Sequence, residues 1–164
     1  MSTISDFKDL LRAFNEYQVK YLVVGGYAVM KYAEPRYTKD LDMWVSTEEE
    51  NAAAVFKALK AFGAPLSGIT PHDFTLEGHF YQIGVAPVRI DILMSLTGLT
   101  FEDAWARRVE SDLDGVKAFF ISKGDLITSK KAVGRSQDLI DADLLAASDR
   151  IADEYQIPTP KPKS

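Results

Sequence analysis

The run Tyr21-Leu22-Val23-Val24 ends in Gly25-Gly26, and after thirteen intervening residues comes Asp40-Leu41-Asp42. This order constrains the fold more than any other part of the chain. An apolar strand enters a glycine turn, a short helix follows, and a second strand carries two acids. Side chains alternate along a strand, so Asp40 and Asp42 share one face and Leu41 takes the other. Their Cα atoms stand roughly 6.5–7 Å apart. That spacing lets two carboxylates converge on a pair of divalent ions about 3.5–4 Å wide. Each half also has a plain structural explanation. Gly-Gly suits any tight turn, because glycine tolerates positive φ, and Asp-x-Asp suits two solvated charges at a strand edge. Met43-Trp44-Val45, however, continues the second strand as an apolar run. Acids at the mouth of a buried strand cost desolvation energy unless a cation compensates. The stretch therefore reads as a phosphate-binding turn followed by a metal-binding strand.

The chain has 164 residues, 46% apolar and 26% charged, which is ordinary for a globular protein and enough for one real core. Residues 1–155 are expected to form a single domain and 156–164, rich in proline and lysine, a flexible tail. A net charge of -5 argues against broad, nonspecific nucleic-acid binding but leaves room for a local basic pocket. With no cysteine, disulfides and thiolate metal sites are excluded. No basic segment followed by an apolar run stands near Met1, and no apolar stretch approaches the ~20 residues of a membrane span. A cytoplasmic protein is the expectation.

Helices are expected at 5–18 (capped by Ser2 or Ser5), 26–33 and from Thr47 to about Phe62, with Thr47 and Glu50 as a capping box and Gly63 as terminator. Residues 64–78 read as a loop with room for one helical turn. Strands fall at 20–24, 41–45 and 116–121, and 79–84 with 88–94 read as a hairpin around Val85-Ala86-Pro87. Helices follow at 101–108 (capped by Thr100), 123–133 and 136–148. The sum is an α/β (α+β) fold: a mixed β-sheet flanked by helices, with a C-terminal helical hairpin.

Asp91 sits in Val88-Arg89-Ile90-Asp91-Ile92-Leu93-Met94, an acid inside an apolar strand. A salt bridge to Arg89 on the same strand face is its structural explanation. Beside the Asp40/Asp42 strand, it would instead complete a three-carboxylate cluster, in which one metal activates an attacking hydroxyl and the other binds a triphosphate. Near the C-terminus, Lys130 and Gly134 are four apart and would share a helix face. Lys130 and Arg135 are candidates to reach phosphates, while Asp138 and Asp141 lie on one face of the next helix and would hold Arg135 by ion pairing. Standing alone, a solvated hairpin with incidental charge pairs is the simpler reading of this element. His72 and His79 are isolated.

Together these residues resemble the DNA polymerase β-type nucleotidyltransferase superfamily, marked by strand, Gly-Gly or Gly-Ser, Asp-x-Asp, and a third acid on a later strand. Gly25-Gly26-Tyr27-Ala28, Arg36-Tyr37-Thr38-Lys39-Asp40-Leu41-Asp42 and Lys130…Gly134-Arg135…Asp138…Asp141 further resemble small bacterial AbiEii-type toxin nucleotidyltransferases. The resemblance covers most of residues 20–145. It implies a minimal nucleotidyltransferase fold and transfer from a nucleoside triphosphate to an acceptor hydroxyl with Mg²⁺ or Mn²⁺. By position, Asp40, Asp42 and Asp91 would bind metal, and Asp91 would help deprotonate the acceptor. Gly25 and Gly26 would lie against the triphosphate, and Lys130 would contact phosphate. Arg36 and Thr38 flank the metal strand; Arg36 is either a phosphate or acceptor contact or an ion-pair partner of Glu34 or Asp40. One departure is Tyr27, which stands where family members often place a phosphate-touching serine. Backbone N–H groups must then do that work. The acceptor is RNA, a protein or a small molecule, with the acidic charge favouring the latter two, and an antitoxin is a possible partner. The rival reading is a non-catalytic nucleotide- or protein-binding module that retains the fold.

Overall fold

The computed structural model describes residues 3–35, 40–84 and 89–154, with side chains from Asp6 to Ser148 within those ranges. In chain order the elements are α1 (Thr3–Glu16), β1 (Tyr21–Val24), α2 (Gly25–Tyr32), β2 (Asp40–Val45), α3 (Glu49–Phe62), a short 3₁₀ turn (Pro71–Thr75), β3 (Phe80–Ile83), β4 (Arg89–Leu93), α4 (Phe101–Ala106), β5 (Val109–Leu113), β6 (Val116–Phe120), α5 (Lys123–Val133) and α6 (Ser136–Glu154). Six strands form one mixed sheet in the order β3-β4-β2-β1-β6-β5. The pairs β2/β4 and β1/β6 are parallel and the others antiparallel.

The central strands are apolar because both faces are covered. All four residues of β1 are buried, as are Leu41 and Met43-Trp44-Val45 of β2. Helix α1 buries Phe7, Leu10, Leu11 and Phe14, the residues its periodicity singles out. It packs on α3 and β6, while α2 touches β1 and β2 and meets α5 and α6. Asn51, at the start of α3, ties this centre together. Its Oδ1 accepts from the Lys20 backbone N–H at 2.7 Å, and its Nδ2 donates to Ser46 O at 2.8 Å and Lys20 O at 3.2 Å. Burial is affordable for this amide because both ends are satisfied.

Several expectations change. Helix α3 starts at Glu49 with Glu48 as its cap and no side-chain capping bond, so Thr47 and Glu50 form no capping box. The chain leaves β2 through Ser46, whose Oγ accepts from Glu48 N–H, and this turn delays the helix. A capping box does exist at Thr70 and Asp73, opening the 3₁₀ turn in the segment read as loop. Strand β5 stands where the sequence suggested nothing regular. It is the first arm of a hairpin turned at Asp114-Gly115, both with positive φ. Gly134 is not part of a helix face; at φ 74° it is the left-handed cap that ends α5. Helix α1 starts at Thr3, so Ser5 lies within it, and Ser2, like residues 85–88 and 156–164, lies outside the described residues.

Candidate active site

The register of two parallel strands builds the site. Pairing of β2 with β4 sets Asp42 opposite Asp91 and Asp40 opposite Arg89. Two acids that are 49 residues apart in the chain thus become cross-strand neighbours on one face. Asp91 is only 9% exposed. Asp42 feels its surroundings strongly: burial, then the Asp91 charge, then that of Asp40, push its carboxyl up to about 7, against the opposing pull of Arg89.

Among the described residues, Arg89 is a cation set directly against these acids. Its Nη2 donates to Asp40 Oδ2 at 3.1 Å and lies 3.3 Å from Asp91 Oδ2. Two carboxylates therefore share one guanidinium, with Asp42 beside them. Two buried atoms are left over: among the described residues, Asp91 Oδ1 and Arg89 Nε have no hydrogen-bond partner. An orphaned carboxylate oxygen beside a second buried acid costs free energy, and a hard cation would relieve it. The donor set, all carboxylate oxygen, also suits Mg²⁺ or Mn²⁺. Among the described residues, though, no three acidic or histidine side chains are already gathered around a common ion position. Arg89 holds Asp40 and Asp91 instead.

The glycine turn lies against these acids. Val24 pairs with Asp42 across β1 and β2, and Gly25 opens α2 at φ +67°. A Cβ there would stand 2.2 Å from Asp42 Oδ2 and 3.0 Å from its Cγ. Position 25 thus needs glycine twice, for its backbone angle and for its neighbour. No side chain caps the start of α2. The N–H groups of its first turn, from Gly25 and Gly26 onward, lack intrahelical partners and are available to an anion. Tyr27 turns elsewhere, packing edge-on against Phe7 of α1 at 5.7 Å between centroids.

The C-terminal hairpin fixes a second cation. Lys130, 18% exposed, sits 3.4 Å from Asp138 and 3.3 Å from Asp141, both buried. Arg135 is 78% exposed and donates to Asp138 at 2.8 Å. The expected clamp of Arg135 by Asp138 is present, while Asp141 pairs with Lys130. Arg36 and Thr38 lie outside the described residues. A cavity of about 690 Å³, lined by Arg12, Phe62, Ile83 and Ile90 among others, lies on the Ile90 side of β4 and holds none of the three acids. Ile90 and Asp91 point to opposite faces, so the cavity and the acids are separated by the sheet.

Over residues 2–154 the sequence matches the family described as "Nucleotidyltransferase of unknown function (DUF6036)". The chain belongs to this nucleotidyltransferase family. No curated protein sequence matches it. Among solved structures it is similar to the lincosamide antibiotic adenylyltransferase LnuA, crystallised with lincomycin bound. The TM-score is 0.56 at 16% identity, over 88% of this chain and 96% of that one. At that identity the likeness speaks for the fold: a mixed sheet with flanking helices, as in a nucleotidyltransferase.

For this family member, sequence reasoning missed the double role of Arg89. The local part was legible, since Arg89 precedes Asp91 by two residues and shares its face. The bridge to Asp40 needed the β2/β4 register. The clue lay in the two strands' matching pattern, Asp40-x-Asp42 beside Arg89-x-Asp91, which pairs position for position once the strands are parallel.

Proposed function

We propose that this nucleotidyltransferase family member transfers a nucleoside monophosphate from a nucleoside triphosphate to an acceptor hydroxyl. The observation that carries the reading is Asp42 facing Asp91 in parallel register, with Gly25 packed against Asp42. Asp42 and Asp91, joined by Asp40, would hold Mg²⁺ or Mn²⁺. Held by these carboxylates, such ions would supply Lewis-acid stabilisation of the charge that builds on the phosphates and the acceptor oxygen.

The chain's own groups supply the rest. The free N–H groups of the first turn of α2 face the triphosphate, with no serine hydroxyl assisting. Lys130, held by Asp138 and Asp141, offers a fixed positive charge, and Arg135, Arg36 and Thr38 are further contacts to the nucleotide. The acceptor oxygen attacks the α-phosphorus as the bond to the bridging oxygen breaks. The acceptor proton passes to the Asp91 carboxylate. Pyrophosphate leaves with the electron pair of the broken bond.

The acidic net charge favours a protein or small-molecule acceptor over long nucleic acid. LnuA, a lincosamide antibiotic adenylyltransferase crystallised with lincomycin, supports the small-molecule side. The motif pattern around Lys130 to Asp141 supports an AbiEii-type role as the toxin of a toxin–antitoxin pair. Growth arrest on expression, relieved by Asp42→Asn, would test that role. A cytoplasmic location fits a chain without cysteine; none of the helices described is long and apolar enough to cross a membrane.

The test is transfer of label from each α-labelled triphosphate into a cell extract with Mg²⁺. Wild type is expected to label an acceptor, and Asp42→Asn to label none. Equal labelling by both would sink the proposal. The rival reading, a binding module without turnover, draws on the ion pairs by which Arg89 already occupies Asp40 and Asp91. Calorimetric binding of Mg²⁺ and a triphosphate, with no turnover on any acceptor in the extract, would favour it.

A further inference from the structure

We infer that Arg89 is a built-in competitor of the divalent ion: its guanidinium occupies Asp40 and Asp91 in the metal-free protein and must give them up when the ion binds. This rests on the reading of the three acids as a metal site.

The argument begins with charge. Asp40, Asp42 and Asp91 crowd one end of two neighbouring strands, and a cluster of acids without a counter-ion would repel itself. Among the described residues, the fold places Arg89 against them, in register with Asp40 and two residues before Asp91. A single nitrogen, Nη2, reaches both Asp40 Oδ2 at 3.1 Å and Asp91 Oδ2 at 3.3 Å. One nitrogen between two carboxylate oxygens holds the central place that a cation would take.

The fit is incomplete in an informative way. An arginine matched to a carboxylate presents two parallel N–H donors. Here Nε is buried and, among the described residues, donates to nothing, and Asp91 Oδ1 is buried and accepts from none of them. A side chain settled as a permanent structural clamp would satisfy these atoms. Arg89 instead neutralises two acids with its tip and leaves a donor and an acceptor stranded. The Arg107–Asp125 pair of the same protein shows the alternative. There Nε donates to both Asp125 oxygens, at 3.1 and 2.9 Å.

The Arg89 side chain is also 36% exposed, so it has an outward path to water once displaced. Arginine stays charged at any working pH, so the exchange is ion for ion and needs no proton. The metal-free cluster is held together by a weak internal cation, and a divalent ion replaces it.

The test is Mn²⁺ binding by calorimetry at pH 7.5 to full-length wild type, Arg89→Met, Arg89→Lys and Asp42→Asn. Arg89→Met removes the competitor and is expected to bind Mn²⁺ at least about tenfold tighter than wild type, whereas Arg89→Lys stays within a few-fold of it. Equal or weaker binding by Arg89→Met, with wild type binding and Asp42→Asn not, overturns the competition and leaves the metal site standing. No binding by wild type overturns both. A second measurement needs no Met variant. The Arg89 Nε–H signal in a ¹⁵N NMR spectrum, assigned by its loss in Arg89→Lys, is expected to shift on addition of Mg²⁺ and not of NaCl at equal ionic strength. A signal unmoved by saturating Mg²⁺ would refute the displacement.

Discussion

At residue 25 a single hydrogen in place of a side chain leaves Asp42 its room. A methyl group there would overlap Asp42 Oδ2, and the backbone angle of +67° disfavours any L side chain. Gly25→Ala is expected to cost about 1–2 kcal/mol from the left-handed backbone. Displacing Asp42 is expected to lower label transfer by about 100-fold or more. Urea unfolding and the transfer assay check the two effects separately; full activity with an altered midpoint would show that Asp42 has room to move. Glycine was legible at this position as a turn residue. Its contact with Asp42 was not, because that contact spans two strands whose pairing a linear reading can only suppose. The three aspartates were legible for a different reason: a charge inside an apolar strand is conspicuous wherever the strand ends up.

Among the elements, the α5–α6 hairpin depends on one buried carboxylate. Asp138 lies below its ordinary value of 3.8, chiefly through the hydrogen bond from Arg135 and also through the charge of Lys130, against the opposing effect of burial. A lowered folded-state value means the ionised form is the one that stabilises. The contribution is present above the ordinary carboxylate value and is lost as pH falls through and below it. The stability difference between wild type and Asp138→Asn should therefore be largest near pH 7 and shrink toward pH 3. Denaturant titrations across that range check it, and a gap that widened on acidification would contradict it. The hairpin itself was readable from its caps and charges, though Gly134 was misplaced onto a helix face. Strand β5 was unreadable. Val109-Glu110-Ser111-Asp112-Leu113 has polar outward positions and little apolar signal, and its support comes from β6, including Lys117 at 2.9 Å from Glu110. At α3, the sequence Thr47 to Glu50 satisfied the pattern of a capping box, but the path out of β2 decided where the helix begins.

For the molecule as a whole, the order of strands matters more than any one of them. The sheet reads β3-β4-β2-β1-β6-β5, so each parallel pair is separated by a long excursion of chain. Asn51 locks the near side of this arrangement, and Asn51→Ala would strand Lys20 and Ser46 backbone groups. Global stability should fall by about 2–3 kcal/mol, with m unchanged, in chemical denaturation. A loss under about 0.5 kcal/mol would mean that water replaces the amide. Fold class and helix order could be read from the chain, whereas sheet order could not, since a loop hides which neighbour a strand will choose. That order has a kinetic consequence. Asp40 and Arg89 are 49 positions apart, and closing so long a stretch is slow because its entropy is spent before any contact is gained. During synthesis on a ribosome, β2 emerges with its two acids long before β4 arrives, so the nascent chain carries no assembled site. A chain cut short before residue 89 lacks both Arg89 and Asp91 and cannot assemble the cluster.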